Sequence, residues 1–158
     1  MIIRPIKQED NLAIGFIIQQ VLREFKADKP GTAYFDEQLF ELHTVFAASS
    51  ACYWIIELEG KIVGGCGILP NQHLPAGYCE LVKLYLLPEA RGIGLGKILI
   101  NQCLVSAKES GFSHVYLETL PELDKAIPLY EKMGFTYLAS SLGETGHFGC
   151  SVWMVKEL

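Results

Sequence analysis

Along this chain the spacing of apolar residues changes repeatedly, and each change predicts an element boundary. Ile2-Ile3-Arg4-Pro5 reads as a short first strand. Leu12, Phe16, Ile17, Val21 and Leu22 then fall on one helical face, which predicts a helix over 11–25 with Asp10 as its N-cap. Pro30-Gly31 marks a loop, and Asp36 is placed to cap a second helix over 37–48. Cys52 to Leu58 and Lys61 to Leu69 predict a hairpin around Glu59-Gly60. Residues 71–77, with Pro75 and Gly77, form a connection to a fourth strand over 78–87 that ends at Pro88. Ile98 to Lys108 has helical spacing and stops at Gly111. His114 to Thr119 is a fifth strand, and residues 122–133 a fourth helix ended by Gly134. Pro128 inside that helix removes a donor, which predicts that only its last turn or two is well formed. Strands over 135–139 and 151–156, joined by loop 140–149, complete the chain. This order predicts one domain over residues 1–158, built as a mixed α/β sheet with helices on both faces.

Chemistry concentrates between the fourth strand and the third helix, in Arg91-Gly92-Ile93-Gly94-Leu95-Gly96-Lys97. Glycines let the backbone take positive φ and approach a ligand closely. The first N–H groups of the following helix have no intrahelical partner and attract an anion. The loop therefore reads as a site for a phosphate-bearing cofactor. Spacing decides among glycine motifs. A P-loop needs a Ser or Thr after Gly-Lys and a glycine five positions before; here Ile98 and Arg91 stand there. A dinucleotide fingerprint needs G-x-G-x-x-G directly after the strand, and this chain has G-x-G-x-G after four intervening residues. That excludes a nicotinamide-binding enzyme. Arg91, Gly94 and Gly96 fit [Q/R]-x-x-G-x-[G/A].

With "ELVKLYLLPEARGIGLGKILI" around it, that motif resembles the cofactor segment of the GNAT superfamily of acetyl-CoA-dependent N-acetyltransferases. Ala126 to Phe135 resembles a second family segment, A-x-x-L-Y-x-x-x-G-F. The resemblance spans roughly residues 78–138. It implies a six- to seven-stranded, centrally splayed sheet and acetyl-CoA as cofactor. It places the pyrophosphate on the backbone from Gly92 through Ile93, Gly94, Leu95 and Gly96 to Lys97, next to Arg91. The pantetheine arm falls along Leu84, Tyr85 and Leu86.

The resemblance also implies catalytic roles. Tyr130 matches a tyrosine that protonates the departing thiolate, as a phenol with an ordinary pKa of about 10 is able to do. Glu80 matches a general-base glutamate, and a carboxylate in an apolar strand needs a reason to be there. Strand periodicity puts it on one side with Val82, Leu84 and Leu86, unless a bulge intervenes. Glu118 is the rival base or a ligand for the substrate amine. It matches an acidic residue of family members that modify protein N-termini, but those members carry a cofactor-contacting asparagine five positions on, where this chain has Leu123. His147, in the Gly-rich loop, is a candidate for the acceptor pocket, and Tyr34 and Phe35 are candidate walls. Acceptor choice is expected to lie in loops 26–36, 70–77 and 140–149. The sequence gives no sign of an activating histidine for Cys79 or Cys103, so the amine is expected to attack directly, without an acyl-enzyme. The competing class is a catalytically silent acyl-CoA-binding sensor or interaction domain, against which the retention of Glu80, Glu118 and Tyr130 counts.

Composition narrows the partners. A net charge of −5 over 158 residues argues against a nucleic-acid surface and suits a cationic amine, whether on a small molecule, a peptide or a protein. Five scattered cysteines with no C-x-x-C read as reduced thiols of a cytoplasmic protein, and no metal site is implied. No apolar run approaches a membrane span, and the N-terminus lacks a signal-like apolar stretch. A monomer and a homodimer are both compatible with the sequence.

Overall fold

The computed structural model describes residues 1–158. Seven strands form one sheet: β1 (Ile2–Pro5), β2 (Cys52–Leu58), β3 (Lys61–Pro70), β4 (Tyr78–Leu86), β5 (His114–Thr119), β6 (Thr136–Tyr137) and β7 (Val152–Glu157). Their spatial order is β1-β2-β3-β4-β5-β7-β6, and only the β4–β5 pair is parallel. The helices are α1 (Asn11–Glu24), α2 (Leu42–Val45), α3 (Leu95–Glu109) and α4 (Ile127–Lys132). Alternation along each strand feeds two cores. Ile14, Ile18 and Leu22 of α1 pack with Leu42, Tyr53, Ile55 and Val82 on one face. Leu99, Ile100 and Cys103 of α3 pack with Ile56, Ile68, Leu81, Leu117 and Tyr130 on the other.

The predicted element order holds, with three local corrections. The second helix is one turn rather than 37–48, because Asp36 does not cap it; its carboxylate is used by Lys83 and His147. Asp10 precedes α1 but spends its carboxylate on the Lys7 N–H at 2.7 Å and on Arg4 at 2.7 and 2.8 Å, so it closes the turn before the helix. The fourth helix starts only at Ile127, which leaves Pro128 in the first turn, where a missing N–H costs nothing. All five cysteines are free, but only Cys66, Cys79 and Cys103 are buried, while Cys52 and Cys150 are half-buried.

The central event is the separation of β4 from β5. Tyr78, Cys79 and Glu80 pair with His114, Val115 and Tyr116, and the pairing stops there. Residues 81–86 stay paired to β3 on one edge, through contacts such as Gly65 with Tyr85, and have no strand on the other. A bulge lies within this stretch. Gly67 pairs with Val82 but Gly65 with Tyr85, and Lys83 takes a φ of 54°. The bulge shifts the alternation by one. Glu80 therefore shares its face with Val82, Tyr85 and Leu87, whereas Leu84 and Leu86 turn to the α3 side. This corrects the face expected from simple periodicity.

A left-handed lysine is strained, by roughly 1–2 kcal/mol. Two contacts hold it. The hydroxyl of Tyr53, buried under α2, donates to the Lys83 carbonyl at 2.9 Å, and the Lys83 ammonium pairs with Asp36. β3 makes room with Gly64, where a Cβ would overlap the Tyr85 carbonyl oxygen. Tyr53→Phe is expected to lower the unfolding free energy by about 1–2 kcal/mol, since it strands a carbonyl acceptor. Urea denaturation reads this as a lower midpoint at constant slope; an unchanged midpoint would show that the ladder alone holds the bulge.

Candidate active site

The opening between β4 and β5 holds two cavities that meet. The larger, about 720 Å³, runs along Leu84, Tyr85 and Leu86, over Gly92, Gly94, Gly96 and Lys97, and against Leu123, Ala126 and Leu129. The smaller, ≈ 40 Å³, is lined by Glu80, Val82, Lys83, Glu118, His147 and Cys150, among others. Tyr85 and Leu123 line both. The strand gap therefore joins a long groove to a small polar chamber.

The groove has the features a phosphate-bearing ligand needs. Gly92 and Gly94 take φ of 75° and 89°, and Gly94 opens α3 in the left-handed conformation. The N–H groups of Leu95, Gly96 and Lys97 precede the first intrahelical bond, from Ile98 to Gly94, and are left free at the groove. Lys97, Lys125 and Lys132 line it with positive charge. Lys125 and Lys132 lie two helical turns apart around α4, which the sequence reading did not single out; their spacing of seven on the groove face was the available signal. The exposed β4 edge at 84–86 offers backbone groups to an extended chain, as strand addition does. Ile93 points outward, exposed.

Arg91 lines the groove and is anchored by protein partners. Its guanidinium donates to the Leu86 carbonyl at 2.8 Å and to both Glu24 oxygens at 2.6 and 2.8 Å, and it lies over Phe25. It braces the loop against β4 and α1, and Glu24 is held below the usual carboxylate range by that bond.

In the chamber, environments push carboxylates apart. Glu80 is 4% exposed, and its one side-chain contact, from the Asn71 amide, is long at 3.4 Å. Burial raises its pKa to about 7; nearby His147 opposes the shift and Glu118 adds to it. Asp36 is the opposite case. Burial would raise it, but the hydrogen bond with His147 and the charge of Lys83 hold it at about 2. His147 Nε2 lies 3.2 Å from one Asp36 oxygen and 3.3 Å from the other. Glu118 accepts from the Tyr116 hydroxyl and from Thr145 Oγ1, both at 2.7 Å. Cys150 is pushed up to about 12 by burial and by Glu118 and Glu80, so it is a protonated, unreactive thiol at neutral pH.

Tyr130 is buried on α4, edge-on to Phe135 with ring centroids 5.9 Å apart. Burial pushes its phenol well up, and Cys66, Tyr85 and Cys150 add to the shift. The structure thus gathers Glu80, Glu118 and His147 at one cavity and lays Leu84–Leu86, Arg91, Gly92, Gly94, Gly96 and Lys97 along the groove, while Tyr130 lines neither cavity and is buried in the α3-side core next to Leu129, which does line the groove. The sequence reading missed Lys83 as a chamber residue, Asp36 as the group that ties Lys83 to His147, and Tyr116 and Thr145 as partners of Glu118.

Comparison with known proteins agrees with this geometry. The profile of the Acetyltransferase (GNAT) family matches residues 18–135. The chain is 43% identical to Uncharacterized N-acetyltransferase YjgM of Escherichia coli (strain K12), across 99% of this chain and 95% of that protein. N-acetyltransferase 8 of Homo sapiens is 33% identical over 70% of this chain, which spans only 52% of that longer relative. The fold matches an acetyltransferase of the GNAT family from Staphylococcus aureus Mu50 with a TM-score of 0.85 at 17% identity, covering 99% of this chain and 98% of that one. It also matches yncA from Salmonella typhimurium, solved with its cofactor acetyl-CoA, with a TM-score of 0.74 at 20% identity over 99% and 93% of the two chains. No helix is long and apolar enough to cross a membrane. From the splayed sheet, the glycine loop at the head of α3 and the matched profile, the chain belongs to the GNAT family of acetyltransferases, whose cofactor is acetyl-CoA.

Proposed function

We propose that this chain is an N-acetyltransferase in which Glu80 is the general base and Tyr130 the general acid, with a primary amine as acceptor. The observation that carries the reading is the junction. A groove fitted to phosphates and an extended arm meets, at Tyr85 and Leu123, a small chamber that holds a carboxylate with a pKa near neutrality. Bound acetyl-CoA supplies an activated thioester carbonyl. In the groove, the free N–H groups of residues 95–97 and the lysines at 97, 125 and 132 hold phosphates. The β4 edge from Leu84 to Leu86 holds the arm, and Arg91 keeps loop and strand in register.

Glu80 acts on the acceptor. An ammonium has no lone pair, so the amine must lose a proton before its nitrogen bonds to the carbonyl carbon. Burial gives Glu80 a proton affinity suited to taking that proton near pH 7. Glu118 is held by two hydroxyls and is better placed to orient the amine than to move protons. As the C–N bond forms and the C–S bond breaks, Tyr130, kept protonated by burial, gives its proton to the sulfur. Cys150 lines the chamber as a neutral thiol, which supports direct attack over an acyl-enzyme.

Three results are expected. Calorimetric titration should show micromolar acetyl-CoA binding, none of NAD, and a loss of about two- to fivefold for each of Lys97→Ala and Lys132→Ala, shrinking as salt rises. Absence of acetyl-CoA binding would remove the functional reading. The pH profile of kcat/KM should rise through about pH 7 and level above it, because Glu80 accepts a proton only once it has lost its own. Glu80→Gln should erase that limb and lower kcat by about 10² or more; an intact limb would transfer the role to another group. Tyr130→Phe should lower kcat while leaving acetyl-CoA affinity within about twofold, since a transition-state donor acts on kcat. Unchanged turnover in both variants would sink the mechanism, and no turnover with any amine, despite acetyl-CoA binding, would favour the sensor.

A further inference from the structure

Glu80 is buried, and one protein donor reaches its carboxylate: the side-chain amide of Asn71, Nδ2 to Oε2 at 3.4 Å. Register explains how a turn residue gets there. Leu69 stands opposite Glu80 in the β3–β4 ladder, so Asn71, two positions on, is its diagonal neighbour on the same face. The amide has one orientation. Asn71 Oδ1 accepts the His73 N–H at 2.9 Å, which an NH2 group is unable to do, so Nδ2 is the end that faces Glu80. The turn also holds the backbone in place. The Leu74 N–H donates to the Asn71 carbonyl at 3.1 Å, Leu74 is buried, and Gly143 packs on the His73 carbonyl. Asn71 lines the open cavity of about 830 Å³ formed by residues 69–78, whereas Glu80 lines the chamber, so this amide joins the turn to the chamber.

We propose that Asn71 is a positioning residue for Glu80: its amide, fixed by the turn, holds Oε2 of the carboxylate and leaves Oε1 for the acceptor's proton. The proposal rests on the reading of Glu80 as the base. Oε1 accepts from no protein group and is not sealed from solvent. The length of the Asn71 bond suits this task. Charge-assisted bonds are typically about 2.7–2.9 Å long and favour the anion strongly. Asp36, with Lys83 and His147 on it, shows the effect of cationic partners: it is held at about 2 and is a poor base. One neutral amide at 3.4 Å orients Glu80 and leaves its affinity for a proton. The other titratable and charged groups around Glu80 are Lys83 and Tyr85 on its own strand, Tyr116 and Glu118 on β5, and His147 and Cys150 ahead of β7. None of them hydrogen-bonds its carboxylate.

Asn71→Asp tests this while sparing the turn, since a carboxylate still accepts the His73 N–H. It replaces the donor facing Glu80 with a like charge, which raises the Glu80 pKa, so the base form is present only at higher pH. The rising limb of kcat/KM should move up by about one pH unit or more. Activity at about pH 7 should fall roughly tenfold and return to within about threefold of wild type near pH 9. Asn71→Leu keeps the bulk and removes the donor; its limb should move the same way by less, with about a threefold loss near pH 7.

Carbon-detected NMR titration of the Glu80 carboxyl, in wild type and both variants, should give midpoints that rise with the limbs, and the same spectra report whether each variant is folded. A midpoint that stays or falls in a folded variant overturns the role of Asn71, whatever the rate does, and leaves the base reading standing. A midpoint that rises while the limb stays in place overturns the base reading and the proposal with it.

Discussion

The site exists because β4 and β5 stop pairing after Glu80. A parallel pair in the middle of a sheet ordinarily satisfies its backbone groups along its whole length. Here residues 81–86 forgo one ladder, and the bulge at Lys83 makes the loss permanent by bending the strand and reversing its faces. The sheet does not come apart, because β3 continues to pair with β4 and β7 with β5. The unused edge and the space beside it are then available to a ligand that is itself extended and rich in hydrogen-bonding groups. The strain at Lys83 is offset within the site. Tyr53 secures its carbonyl, and Asp36 secures its ammonium while also holding His147 at the chamber.

Charge is distributed to match. The chain is acidic overall, yet the groove carries Lys97, Lys125 and Lys132. The acidic groups Glu80 and Glu118 collect in the chamber, separated from the groove lysines by the wall of Tyr85 and Leu123. Within the chamber, similar side chains are driven to opposite ends of their range. Asp36 lies between two basic groups and stays ionised, while Glu80 is buried with a single long hydrogen bond, from the Asn71 amide, and its pKa is raised to about 7. Such divergence between carboxylates of one site separates a structural anion from a proton carrier.

Much of this was legible before any coordinates. The glycine spacing at 91–97, the proline that ends the strand before it and the A-x-x-L-Y segment pointed to the family, and the apolar spacing to the element order. Glu80 stood out as a carboxylate in an apolar run. Elements were misjudged where a tertiary partner competed for a local signal. Asp36 is a residue type that caps helices, but Lys83 and His147, 47 and 111 positions away in sequence, are its partners instead. Arg91, in the glycine motif, lines the groove, and its bonds to Glu24 and the Leu86 carbonyl are tertiary pairings that its local sequence does not announce.

The sequence by itself determined the order of strands and helices, the glycine turn that frees the head of α3, and the residue types available for proton transfer. These depend on local spacing and backbone allowance, which are properties of short segments. The tertiary structure alone decided which face Glu80 occupies, because one residue in the left-handed region inverts the alternation after it and nothing in Glu-Leu-Val-Lys-Leu announces that. It alone decided that Glu80 is desolvated and that Asp36 ties Lys83 to His147. Each of these is a meeting of residues distant along the chain, and such meetings are fixed by how the sheet twists, bulges and parts.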